Sequence, residues 1–312
     1  MNINGCTLHR DRPNRRIGLT QPLFLDNMEY QYPLPEGESY PSVPFTYGNY
    51  LSAEDRTNQT IYLSPKDLFR YQKALGELLW LKTFSKAEVA FAHQHLSRIT
   101  KPTLYDYNLS IRAIQYCVST RDNIRWIGGP YGPIITGTVD SSFASHPDLK
   151  GQSSWSVHIG GGGASIFDTK KQTITADCSA SCEASGTYMS LPDHIYASNI
   201  LTELGYPQPT AIGIGQDNTS TIQIYNDTAN KRKSRHLDLR YNIVRENIEN
   251  HIIKLFYLPT DYMIADIGTK ALAPAVFYRL RDYLLGHIHL PQFLDYIQHY
   301  APHLCHSQQS SE

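Results

Sequence analysis

Four carboxylates stand at points where the chain changes direction. Asp140 closes the strand-like run IITGTVDSS, and Glu183 lies early in the helical stretch SASCEASG. Asp217 sits at the strand-to-helix junction of IGIGQDNTSTI, and Asp266 opens a helix in MIADIGTK. An Asp at a strand end or helix start ordinarily caps or turns the backbone, so no single one is diagnostic. Gathered in one place, the four would repel one another unless protons or cations neutralise them. Hard oxygen donors suit Mg²⁺ or Mn²⁺. Two such ions roughly 3.5–4 Å apart activate water and stabilise the leaving oxygen in phosphodiester hydrolysis. The chemistry these residues could do is therefore two-metal hydrolysis.

Bringing them together requires a particular order of elements. From Ile134 onward the patterning reads strand, strand, strand, helix, strand, helix, helix, strand, helix. Three antiparallel strands followed by alternating units imply a mixed sheet with helices on its faces. If the first strand is central, the first and fourth strands are neighbours. Asp140 then faces Asp217, with Glu183 above them from the helix. Pro192 is expected to kink or interrupt that helix. The glycine run Gly160–Gly163 lacks the Gly-Lys-Ser/Thr ending of a phosphate loop and lies between two strands, so it reads as a hairpin turn. A further short strand is expected in KKQTIT. The later helix SRHLDLRYNIVRENIENH should bury Leu237, Leu239, Ile243, Val244 and Ile248.

Upstream, Ser64-Pro65 is an N-cap followed by proline at the first helical position. Leu68, Leu75, Leu78, Leu79 and Leu81 then recur at helical spacing, and TLYDYNLSIRAIQYCVSTRD forms a second helix. Nothing in this block looks chemical. The first ~65 residues show little periodicity, and Tyr32 to Pro44 reads as a linker or extended strap because its prolines block a helix. The His-rich stretch after Gly286 reads as a loose tail.

The 312 residues suggest about two domains. A hydrophobic fraction of 41% with 18% charged residues excludes collagen, coiled-coil and disordered chains. Lys+Arg total 28 against 29 for Asp+Glu, which excludes a histone-like basic excess and leaves room for a local basic patch. KRKSRHLDLR is that patch, with Lys231, Arg232, Lys233, Arg235 and Arg240 as phosphate-binding candidates. A solvated charged face is the alternative for such a run. No apolar run reaches the roughly 18 residues of a bilayer span, and no signal peptide is evident, so the chain reads as soluble and intracellular with no membrane partner. The five cysteines are irregularly spaced, and Cys178 and Cys182 lack two further soft ligands nearby, so free thiols are expected.

These residues also carry a family resemblance. From about Gly137 to Leu285 the ordered series GTVDSSFA, SVHIGGGGASI, KKQTITADCSASCEA, GQDNTSTI, RKSRHLDLRYNIVRENIE and IKLFYLPTDYMIADIGTKAL resembles the RNase H domain of copia-type LTR-retrotransposon polyproteins. YQKALGELLWLKTFSKAEVAFAHQHLSRITKPT is similar to the segment joining reverse transcriptase to RNase H, and NGCTLHRDRPNRRIGLTQPLFLDNM resembles the stretch after the polymerase palm. The resemblance implies an RNase H-like mixed five-stranded sheet with flanking helices, preceded by a mainly helical segment. It divides the chain into a post-palm remnant and proline-rich strap (1–65), a thumb/connection segment (66–130), an RNase H-like domain (131–286) and a tail (287–312).

The family's metal ligands fall on Asp140, Glu183, Asp217 and Asp266. The resemblance implies two Mg²⁺ or Mn²⁺ ions, an RNA–DNA hybrid as substrate, and the rest of the polyprotein, including the reverse transcriptase palm, as partner. It places such a protein in the cytoplasm, within a virus-like particle, or in the nucleus. The Tyr-x-Asp-Asp polymerase motif is absent, so polymerase activity is not expected. His236 matches a family position, where it could bond a phosphate, assist product release or pack at its helix start. The sequence departs from the family at Ser142 and Ser185, where acidic residues are usual, at Gly186, where tyrosine is usual, and at Asp177-Cys178 before the helix. Those changes leave two further readings open: a catalytically dead remnant that binds nucleic acid, and a truncated product that does not fold stably.

Overall fold

The computed structural model describes residues 1–46, 53–146, 148–226 and 239–300. It divides into two compact units, Met1–Arg10, Ile17–Arg125 and Lys270–Arg279 in one, Asp11–Arg16, Trp126–Thr269 and Leu280–Glu312 in the other.

The N-terminal stretch is more regular than its composition suggests. It holds the strands β1 (Asn2–Ile3), β2 (Cys6–Asp11) and β3 (Arg16–Thr20), then the helices α1 (Pro22–Gln31) and α2 (Ala53–Asn58). The helix expected after Ser64 is α3 (Pro65–Phe84). Ser64 caps it by accepting from the Asp67 N–H, with Pro65 at the first position. Its buried face is Tyr71, Ala74, Leu78 and Leu81. Leu79, expected inside, is exposed, because it lies one position, or about 100°, round the helix from Leu78. After α4 (Ala90–Leu96), α5 (Leu104–Ser119) opens with a capping box in which Thr103 and Asp106 satisfy each other's backbone N–H groups. Tyr71, Leu96 and Leu109 form a shared core, and the Tyr71 hydroxyl donates to the Leu96 carbonyl at 2.7 Å. Arg125 is buried and donates to the last carbonyls of α3, those of Thr83 and Phe84.

The second unit carries the sheet. Its elements are β4 (Arg125–Gly128), β5 (Ile135–Ser142), β6 (Gln152–Ile159), β7 (Ala164–Lys171), α6 (Ser179–Glu203), β8 (Ile212–Gln216), α7 (Thr219–Asn226), α8 (Leu239–Glu249), β9 (Ile253–Tyr257), α9 (Asp266–Thr269), α10 (Pro274–Leu284) and α11 (Pro291–Tyr300). Two of these, β4 and α10, straddle the division between the units. Five strands run in the order β7-β6-β5-β8-β9. β5 is central, antiparallel to β6 and parallel to β8. This is the mixed five-stranded sheet with flanking helices that the resemblance implies. Ile135, Val139, Trp155, Val157, Ile212 and Ile214 meet Leu191, Ala197 and Leu201 of α6 in the main core. No strand forms over KKQTIT beyond Lys171.

α6 runs unbroken through Pro192. Proline there removes one helical hydrogen bond, and packing of Leu191 and His194 on either side holds the helix across the gap. The helix lies unusually close to the sheet. A Cβ on Gly137 would stand 2.1 Å from His194 Nε2 and 2.5 Å from the Ser156 carbonyl oxygen. The carbonyl belongs to the neighbouring strand and cannot retreat. Gly137→Ala should therefore cost about 1–3 kcal/mol of stability through overpacking, and a thermal melt unchanged from wild type would refute that close approach.

Gly160–Gly163 form the β6–β7 hairpin, with Gly160 and Gly161 at positive φ. The hairpin is buried, not a solvent-exposed loop: a Cβ on Gly162 would lie 1.7 Å from the Gly128 carbonyl oxygen. Of the stretch after Gly286, the described part, residues 287–300, is not a loose tail. α11 buries Phe293, Tyr296 and Ile297, and the Tyr296 hydroxyl donates to the Ala211 carbonyl at 2.7 Å. Tyr296 fills the space left by the missing side chain of Gly213 on β8. In α8, Val244 is buried whereas Leu239, the first residue of the helix, is exposed; Leu237 lies outside the described residues.

Candidate metal centre

The parallel β5–β8 ladder pairs Thr136 with Gly213, Gly137 with Ile214 and Thr138 with Gly215. Two residues further along the same register, Asp140 stands beside Asp217. Both carboxylates thus come from the C-terminal ends of adjacent parallel strands, where open α/β sheets bind ligands. Asp217 leaves the strand just before Asn218, whose side chain caps α7 by accepting from the Thr221 N–H at 3.0 Å. Glu183 enters from the first turns of α6. Its approach depends on Gly186, because a Cβ there would lie 2.1 Å from Ser141 Oγ. Ser141 therefore occupies the space into which a larger residue at 186 would begin to grow.

Asp140, Glu183 and Asp217 each offer an oxygen within 4.8 Å of the others, the only such group of three among the described residues. Asp140 and Glu183 are buried, whereas Asp217 is half-buried. Asp266 is not within that group. It begins α9, a buried turn whose last residue, Thr269, donates its hydroxyl proton to Asp140 Oδ2. Of the basic patch, Lys231, Arg232, Lys233, Arg235 and His236 lie outside the described residues. Arg240 is described, and its guanidinium lies 5.8 Å from the centre of the Tyr188 ring.

Burial raises the Glu183 carboxyl well above its ordinary range, and the neighbouring charges of Asp140 and Asp217 raise it further. Hydrogen bonds from Gln216 and the Ser141 backbone oppose that rise without cancelling it. The folded protein therefore holds this proton more tightly than the unfolded chain. The stabilisation is fully present below the ordinary glutamate range and is lost as pH rises through the raised value. In chelator, the melting temperature should fall as pH rises from mildly acidic toward neutral. Glu183→Gln should flatten that fall, and a divalent cation should restore stability at neutral pH by binding the folded state. Parallel melting curves for wild type and Glu183→Gln across this range would contradict the account. Three clustered carboxylates, one of them reluctant to ionise, are a donor set that fits a hard divalent cation.

Three hydrogen-bond donors to the carboxylates escape a reading of the sequence for charge. Thr269 bonds Asp140. Gln216 Nε2 donates to Glu183 Oε2 at 3.3 Å, while its Oε1 accepts from the Asn218 N–H at 3.1 Å. Thr260 Oγ1 donates to Asp217 Oδ2 at 2.9 Å. A positional signal exists: Gln216 directly precedes Asp217, and Thr269 follows Asp266 by three residues, one helical turn.

No family model matches the chain. It is similar to the retrovirus-related Pol polyprotein from transposon TNT 1-94 of Nicotiana tabacum, with 22% identity over 287 residues that cover 91% of this chain. The chain spans 21% of that relative's length. All three clustered carboxylates fall within the sheet-bearing unit. No helix among the described residues is long and apolar enough to cross a membrane.

Proposed function

We propose that the chain is the RNase H-like part of a retrotransposon Pol polyprotein and hydrolyses the RNA strand of RNA–DNA hybrids with divalent cations. The observation that carries this reading is the convergence of Asp140, Glu183 and Asp217 from three separate elements. These residues would hold Mg²⁺ or Mn²⁺, with Asp140 and Asp217 as central ligands, Glu183 toward the leaving group and Asp266 completing a second position. Bound there, the cations would supply an activated water and charge stabilisation at the leaving oxygen. The protein's own part is to hold the carboxylates rigid on strand ends and on a helix pressed against the sheet. Hybrid recognition would rest on 2′-hydroxyl contacts across a wide, shallow minor groove, with phosphate contacts from Lys231, Arg232, Lys233, Arg235, His236 and Arg240. We take residues 131–286 as the nuclease domain and 66–130 as the segment linking it to the other Pol domains, its partners.

The test is cleavage of a labelled RNA–DNA hybrid by the purified chain. Loss of the RNA strand in Mg²⁺ or Mn²⁺, abolished by chelator, is expected. A folded protein that leaves the RNA intact in both metals would overturn the reading, and salt-dependent binding without cleavage would mark a nucleic-acid binder.

A further inference from the structure

We infer that Thr269 is a positioning residue for the acidic centre, an inference that rests on the hydrolytic reading above. Its hydroxyl has one proton to give. That proton goes to Asp140 Oδ2, since the alternative acceptor, the Asp266 carbonyl, lies 3.4 Å away. Thr269 is buried, so water does not compete for the bond.

The turn that carries Thr269 is fixed from outside the acidic cluster. Thr169 on β7 donates to the Gly268 carbonyl at 2.5 Å. A Cβ on Gly268 would stand 2.1 Å from Ser154 Oγ and 3.1 Å from Thr169 Cβ, so only glycine lets α9 lie this close to β6 and β7. Ser154 is the residue paired with Asp140 across the β5–β6 ladder. The sheet thus sets the turn, the turn sets the hydroxyl, and the hydroxyl sets the torsion of the central carboxylate. Donors of this kind orient metal ligands without contacting the metal, and their loss typically costs 10–100-fold in affinity or activity. Thr269 brings no charge of its own, so it orients Asp140 and leaves its negative charge available to a cation. A lysine or arginine making the same contact would compete with one. The same bond ties Asp140 to the helix that starts at Asp266, joining the clustered carboxylates to the fourth.

The experiment compares wild type, Thr269→Val and Thr269→Ser for Mn²⁺ binding, read from the electron paramagnetic resonance of free Mn²⁺, and for hybrid cleavage. Thr269→Val keeps the shape and removes the donor. It should weaken Mn²⁺ binding by about 10–100-fold and lower kcat, with KM for the hybrid unchanged. Thr269→Ser keeps the hydroxyl and should bring both close to wild type. Circular dichroism melts confirm that each variant is folded. A folded Thr269→Val that binds Mn²⁺ as wild type does would overturn this inference alone. Wild type that binds no Mn²⁺ would overturn the hydrolytic reading and this inference with it.

Discussion

Asp217→Asn should abolish metal-dependent cleavage of an RNA–DNA hybrid, lowering the rate by about a thousandfold or more, some 4 kcal/mol of transition-state stabilisation. The substitution keeps the shape and size of the side chain. It can still accept from Thr260, which bonds Asp217 Oδ2 in the wild type. What it removes is the charge of one of three clustered carboxylates, so the loss would report on charge rather than on folding. Asp217 is the least buried of the three. Its replacement therefore disturbs the core least, and a melting temperature equal to or above wild type in chelator is the expected control. Rates within tenfold of wild type would remove Asp217 from the chemistry.

The largest effect on stability should come from Trp155→Ala. Trp155 is the largest fully buried side chain in the molecule's described residues and lies in the middle of β6. Its ring packs in the core shared with α6, and its Nε1–H donates to Asp193 Oδ2 at 2.6 Å. Truncation leaves a cavity and removes that donor from the carboxylate, at a combined cost of about 3–5 kcal/mol. Trp155→Phe separates the two contributions. It retains most of the volume and loses the bond to a charged acceptor, worth about 1.5–3 kcal/mol. Denaturant midpoints for the two variants provide the comparison. Equal losses would assign the whole effect to the hydrogen bond.

The sequence makes the site easier to read than the packing around it. Asp140, Glu183 and Asp217 could be placed because each sits where strand patterning gives way to a turn or a helix, and because a central first strand forces the first and fourth strands together. The order of elements from β5 to β9 follows from the same periodicity. Three failures have distinct causes. α11 was hidden by composition: its histidine and two glutamines, in a His-rich stretch, suggest a tail, yet Leu290, Phe293 and Ile297 fall on one helical stripe and are buried. Pro192 suggests a break because local propensity opposes a continuous helix there, and tertiary packing overrode it. Thr269 and Gln216 carry no charge, so a search for acids and bases passes over them. The residues at Ser142, Ser185 and Gly186 look like losses against the family pattern. At Gly186, at least, the structure gives a reason, since Ser141 already fills the space beside the helix.

The span of sequence that builds the acidic centre has a consequence for synthesis. The parallel β5–β8 pair joins residues 77 positions apart along the chain, and the Asp140 carboxylate accepts its hydrogen bond from Thr269, 129 residues later. Chains emerge from the ribosome at about 5–20 residues per second and fold domain by domain. The acidic centre would then come into being seconds after Asp140 itself is made. Until then, Asp140 belongs to an unfinished antiparallel sheet without its partners. On the proposed reading, a growing polyprotein would carry no assembled acidic centre until this whole segment has been translated and folded.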